Sequence, residues 1–160
     1  MQPSSIIDDT IRIKEVNKDG KHFDRVSRIE GVTDVYEFEV VLDVNTDIYP
    51  VKKDCFYKIC LASAAGLSEG ADDYHSIYDM AMGGKGFRDE KTETSIFDEY
   101  EYVMHGKVFR YELHGEETIS QYISFGGLIL KIKGDVKYLK SLEIDSKVFF
   151  LMKQAVKQAA

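Results

Sequence analysis

The stretch Ser120–Asp135 constrains the fold most, because its alternation of apolar residues changes phase in the middle. Up to Phe125 the large apolar residues stand on odd positions, Ile119, Ile123 and Phe125. Beyond Gly126-Gly127 they stand on even positions, Leu128, Leu130 and Ile132, with Lys131 and Lys133 between them. Side chains of a strand alternate faces with a period of two, so a phase change needs an extra residue or a sharp bend. Glycine supplies the backbone angles for either. The segment therefore reads as one long strand bent through a corner, as a small closed barrel requires. Two strands joined by a Gly-Gly turn is the alternative.

The rest of the chain is patterned in the same way. Ile11 and Ile13 mark a first strand ending at the Asn17–Gly20 turn, and Phe23–Glu30 a second, closed by a turn at Gly31–Asp34. Tyr36, Phe38, Val40, Leu42 and Val44 alternate with polar residues and read as a half-buried strand. Cys55–Ala62 is a fourth. Tyr100, Tyr102 and Met104 are followed, after Gly106, by Phe109, Tyr111 and Leu113, a second phase change that implies a bulge near that glycine. His114–Glu117 is a tight turn and Val136–Leu142 holds a helical turn. The unbroken apolar run Val148–Met152 predicts a central strand buried on both faces. About eight short strands with frequent turns give an all-β fold, a single antiparallel barrel or sandwich.

From Gly66 to Ser95 the periodicity vanishes, and the segment reads as a long acidic insertion with short helical turns around Tyr74–Met82. Residues 67–106 carry three basic against ten acidic side chains, whereas residues 107–160 carry nine against six. Overall the net charge is −7. Affinity built on phosphate neutralisation needs a basic face, and only the C-terminal third offers one, at Lys131, Lys133, Lys137 and Lys140. Nucleic-acid binding is accordingly expected to be weak or indirect.

No constellation of catalytic groups is legible. Gly83–Gly86 lacks the spacing of a phosphate-binding loop, and Asp8-Asp9 and Asp72-Asp73 lack the ligand spacing of a cation loop. His22, His75, His105 and His114 have no zinc-site partners in sequence. Ser63 and Ser124 sit in no nucleophile elbow. Cys55 and Cys60, five apart in one strand, point to opposite faces and are expected as free thiols of an intracellular protein. No run approaches the about 20 apolar residues of a membrane helix, and no secretory leader is legible. Neither cofactor, metal nor small-molecule substrate is expected.

Tyr122 lies out of phase with Ile123 and Phe125. With Ser120 and Ser124 it forms a weakly polar outward strip beside Gly126 and Gly127, where another backbone could approach closely. The same pattern fits a second face of the sheet that the protein covers itself. Tyr102, Tyr122, Ser124, Gly126 and Gly127 are the candidate partner interface, with Tyr102 a neighbour of Tyr122 if their strands pair.

The segment Tyr122-Ile-Ser-Phe-Gly-Gly-Leu-Ile-Leu-Lys-Ile-Lys-Gly-Asp135 resembles the hallmark of the small subunit common to the eukaryotic nuclear RNA polymerases I, II and III, eighth in their usual ordering. Further blocks fit that family in order: Arg25–Ile29, Leu42–Asn45, Tyr49–Val51, Leu61–Ser63, Tyr102–Met104, Gly106–Val108, Asp145–Val148 and Leu151–Lys153. No block covers 66–95, and Ile7-Asp-Asp9 has an aliphatic residue where an aromatic is expected. The resemblance implies a barrel related to the oligonucleotide-binding fold. It also implies a non-catalytic nuclear subunit, without cofactor, docked on the outer side of the largest subunit. A free-standing barrel binding single-stranded nucleic acid is the alternative that the fold alone would support.

Overall fold

The structure, a computed structural model, describes residues 4–18, 20, 25–63 and 99–155, and among them are eight strands and one α-helical turn. The strands are β1 (Ser4–Val16), β2 (Val26–Thr33), β3 (Glu39–Asn45), β4 (Phe56–Ser63), β5 (Tyr102–His114), β6 (Thr118–Phe125), β7 (Leu128–Asp135) and β8 (Lys147–Gln154). The helical turn α1 (Val136–Leu139) follows β7. All pairings are antiparallel, and the order β1-β2-β3-β7-β6-β5-β8-β4 closes on itself. Closure rests on β1, which pairs with β4 through its first half and with β2 through its second, with a register shift in each ladder. Such shifts bend a strand enough to serve two neighbours. The acidic insertion at 66–95, with Asp72-Asp73, His75 and Gly83–Gly86, lies outside the described residues.

Alternation becomes burial where strands have neighbours on both sides. Phe38, Val40, Leu42 and Val44 all enter the core, and Tyr36 packs against it. The Val148–Met152 run is buried on both faces, as its sequence implies. Phe150 and Met152 join the barrel interior. Phe149 and Leu151 face the other way beside Ala62 and Cys60 of β4, and all four have no exposed surface. Both cysteines are free thiols.

Three expectations are corrected. Gly126-Gly127 is no corner in a continuous strand. Phe125 stands opposite Leu128, and β6 and β7 pair all the way to Thr118 and Asp135, so the two glycines form a hairpin turn. Their φ values of +64° and +103° meet the need of a tight two-residue turn for left-handed backbone at both positions. A two-residue turn also sets odd positions of β6 against even positions of β7, which is the whole origin of the phase change.

The second correction concerns β2, which runs on through Gly31 to Thr33. A Cβ on Gly31 would overlap the carbonyl oxygen of Arg12, so this glycine serves close strand approach rather than a turn. The turn comes later, where the buried carboxylate of Asp9 accepts from the backbone N–H of Val35 (3.0 Å) and Tyr36 (2.9 Å).

Thirdly, β5 does contain the expected bulge, but between Val108 and Arg110, just past Gly106, and the residues that follow it are not core. The bulged residue Phe109, and Tyr111 and Leu113 beyond it, are 45%, 51% and 59% exposed. Their alternation looks like a core pattern, but β8 accompanies β5 only as far as Lys107. Past that point the strand outruns its cover.

Candidate partner interface

The five residues selected from sequence divide into three places. Tyr122 points outward from β6, half-buried, and is the centre of a row across three strands. Register sets Arg110 of β5 and Lys131 of β7 directly beside it. The Arg110 guanidinium carbon is 5.3 Å from the ring centroid and the Lys131 ammonium 5.8 Å, while the Phe109 ring lies 6.2 Å away. At such distances a cation gains from the ring's quadrupole, by about 0.5–1 kcal/mol at exposed sites. The strip is not uniformly open, because Ser120 is fully buried beneath His114, whose Nε2 lies 2.8 Å from its hydroxyl.

Gly127 sits at the exposed hairpin tip, where its N–H donates to Ser124 Oγ at 3.3 Å. Tyr102 is elsewhere. It pairs with Met152 of β8 at the start of β5, far from Tyr122 along the strand, and only 6% of it is exposed. Its hydroxyl accepts from the Asn45 N–H (3.2 Å) and donates to Met104 Sδ (3.2 Å), and its ring stacks on Tyr49 at 5.2 Å. Burial raises the pKa of this phenol above its ordinary value. Tyr102 is thus a plug at one end of the barrel and not a neighbour of Tyr122.

A different feature brings three of the five together. Tyr102, Ser124 and Gly126 line a slot of about 620 Å³ in the barrel wall. Its other lining includes Ile48, Met104, Phe125 and Leu128, with Lys107 and Lys147 at one side. Sequence reasoning missed Lys107, Lys147 and Ile48. The lysines meet only through the β5–β8 register, in which they are directly opposed.

His105, also on the slot, packs against Phe149 with ring centroids 4.9 Å apart. Burial first, and then the charge of Lys147, push its pKa down from 6.5 to about 4. The unfolded chain therefore takes up a proton near pH 6.5 that the fold refuses until about pH 4. The stability this difference confers is complete above 6.5 and is lost as pH falls towards 4. His105→Gln should flatten the fall in melting temperature across that window. An unchanged slope in the variant would assign it to other groups.

None of these places joins a nucleophile to a base, and among the described residues no three His, Cys, Asp or Glu side chains cluster as metal ligands. The profile of the family described as RNA polymerase Rpb8 matches residues 8–154. The chain belongs to that family. As a member, it is a non-catalytic subunit of DNA-directed RNA polymerase. A Dictyostelium discoideum protein named "DNA-directed RNA polymerases I, II, and III subunit rpabc3" is 37% identical over 153 residues, covering 95% of this chain and 99% of its own length. A Caenorhabditis elegans protein named as the probable subunit RPABC3 of the same polymerases is 34% identical, covering 93% and 95%. The Saccharomyces cerevisiae subunit of that name is 28% identical, covering 88% and 92%. In this Rpb8-family chain the hallmark segment is the β6–β7 hairpin, which carries Tyr122 on its outer face and one wall of the slot.

Proposed function

We propose that this chain is the structural subunit held in common by nuclear RNA polymerases I, II and III, and that it acts by docking on the largest subunit. The observation that carries this reading is the family match from residue 8 to residue 154, together with relatives, matched over nearly their whole length, that bear the name of that shared subunit. A subunit without chemistry contributes through binding free energy alone, by holding its partner in an assembled form. Purified from nuclear extract under native conditions, the tagged chain should bring down the largest subunits of all three polymerases. Recovery only as a free 18.3 kDa monomer would overturn the reading.

Within the proposed interface Tyr122 is the aromatic with the most to offer a partner. Central aromatics that become desolvated carry much of an interface's energy, so Tyr122→Ala should weaken assembly by about 1–3 kcal/mol. Its ring lies on the outer wall, outside the barrel core, so the free variant should melt close to wild type. A large fall in melting temperature would make it a packing residue, and unchanged affinity with unchanged melting would place the contact elsewhere.

An aromatic flanked by two cations also resembles a stacking platform for single strands. The surrounding charges oppose that use. Lys133 is held 3.8 Å from Glu39, and Lys137 lies over the Tyr138 ring at the far end of β7. Binding of a single-stranded oligonucleotide at physiological salt should be weak, with a shallow salt dependence. Micromolar affinity that collapses as salt rises would favour the nucleic-acid barrel instead.

A further inference from the structure

The slot has properties that docking in general does not require. β8 pairs with β5 from Tyr102 to Lys107, but β6 joins β5 only at Lys107. Between Tyr102 and Gly106, one side of β5 thus has no strand beside it among the described residues. The open side carries backbone hydrogen-bonding capacity. Val108 turns both of its backbone groups towards the start of β8, its N–H donating to the Ser146 carbonyl (3.1 Å) and its carbonyl accepting from the Asp145 N–H (2.8 Å). Alternation along an antiparallel strand then turns the N–H and C=O of Val103 the other way, into the slot. The far bank is Asn45 and Ile48, the latter 70% exposed, while Phe125 and Leu128 add apolar surface from the hairpin.

Charge gives the slot a sign. Lys107 and Lys147 face each other across the β5–β8 ladder, an arrangement that destabilises a sheet when both carry the same charge. Neither forms an ion pair with the described residues. Two like charges kept side by side at the edge of an apolar slot cost the free barrel stability and suit an anionic group arriving from outside.

We infer that the slot receives an extended, acidic segment of the partner protein, hydrogen-bonded to β5 at Val103. An apolar side chain of that segment lies against Ile48, Phe125 and Leu128, and its carboxylates lie beside Lys107 and Lys147. A peptide is favoured over a nucleic-acid backbone because Val103 offers a ladder donor and acceptor, and the lining is largely apolar. This inference rests on the docking reading and specifies where and how the partner is held.

Lys147→Glu separates the idea from simple misfolding, because it replaces a like-charge opposition with an opposite-charge one. In the free 160-residue chain its melting temperature should stay level or rise. In titrations against the largest subunit its affinity should fall at least about tenfold, with a weaker salt dependence than wild type. Lys137→Glu/Lys140→Glu, at the opposite end of β7, should bind as wild type. Hydrogen exchange at Val103 should slow when the wild-type chain is assembled. Wild-type affinity for Lys147→Glu, an equal loss in the distant double variant, or unchanged exchange at Val103 would each overturn the slot while leaving docking intact. Failure of the wild-type chain to bind the largest subunit would overturn both. A Lys147-dependent affinity for an oligothymidylate probe, tighter than for the largest subunit, would overturn the peptide in favour of nucleic acid.

Discussion

Phe38→Ala is expected to lower the free energy of unfolding by about 3–5 kcal/mol, measured by urea titration. The ring has no exposed surface and stacks on Tyr36 at 5.2 Å, with Tyr138 edge-on at 6.3 Å. It fills the space over Gly134 of β7, where a Cβ would lie 2.6 Å from its Cε1 and closer still to its Cδ1. With no side chain on β7 at that point, little can collapse into the vacancy, so both the transfer loss and the cavity remain. The backbone at this position is held independently of the ring, since Phe38 N–H donates to Thr33 Oγ1 (2.9 Å) and its carbonyl accepts from Thr33 N–H (3.0 Å). A loss below about 1 kcal/mol would mean that Tyr138 swings in from α1 to replace the missing ring.

Gly106→Val should cost about 3 kcal/mol, the upper part of the range for overpacking. A Cβ here would overlap the carbonyl oxygen of Ser124 and stand 2.6 Å from Cδ1 of Phe125. The carbonyl belongs to the backbone and has no rotamer to escape into, so β5 and β6 must part where their ladder begins, at Lys107 and Ser124. The same movement would distort the slot, and with the slot as the proposed docking site, incorporation into polymerase should drop by more than the lost stability accounts for. A melting temperature equal to that of wild type would show that the two strands can separate there freely.

The pattern of residues settled a good deal by itself. A half-buried strand must alternate, and Phe38 to Val44 does so because one face meets the core. A strand covered on both faces needs no alternation, and Val148–Met152 is buried throughout. The family blocks, spread along most of the chain, were legible as well, because the identity and order of residues are read without knowing the fold. Two glycines between apolar runs announced left-handed backbone, and Gly126 and Gly127 adopt it.

Whether that backbone bends one strand or reverses it was beyond the sequence, since both solutions shift the alternation by one position and both need glycine. Only the pairing of Phe125 with Leu128 chose the hairpin. Phe109, Tyr111 and Leu113 alternate as core residues do, yet they are exposed, because local periodicity carries no information about where a neighbouring strand stops. The candidate interface was divided for the same reason. Tyr102 and Ser124 meet at one slot through strand order, Tyr122 stands on the outer wall, and Lys107 and Lys147 became opposed when β8 paired with β5. Side-chain chemistry and period are properties of the chain, and they fixed the strands. Register and strand length relative to a neighbour exist only once strands are side by side, and they decided which of the candidate residues come together.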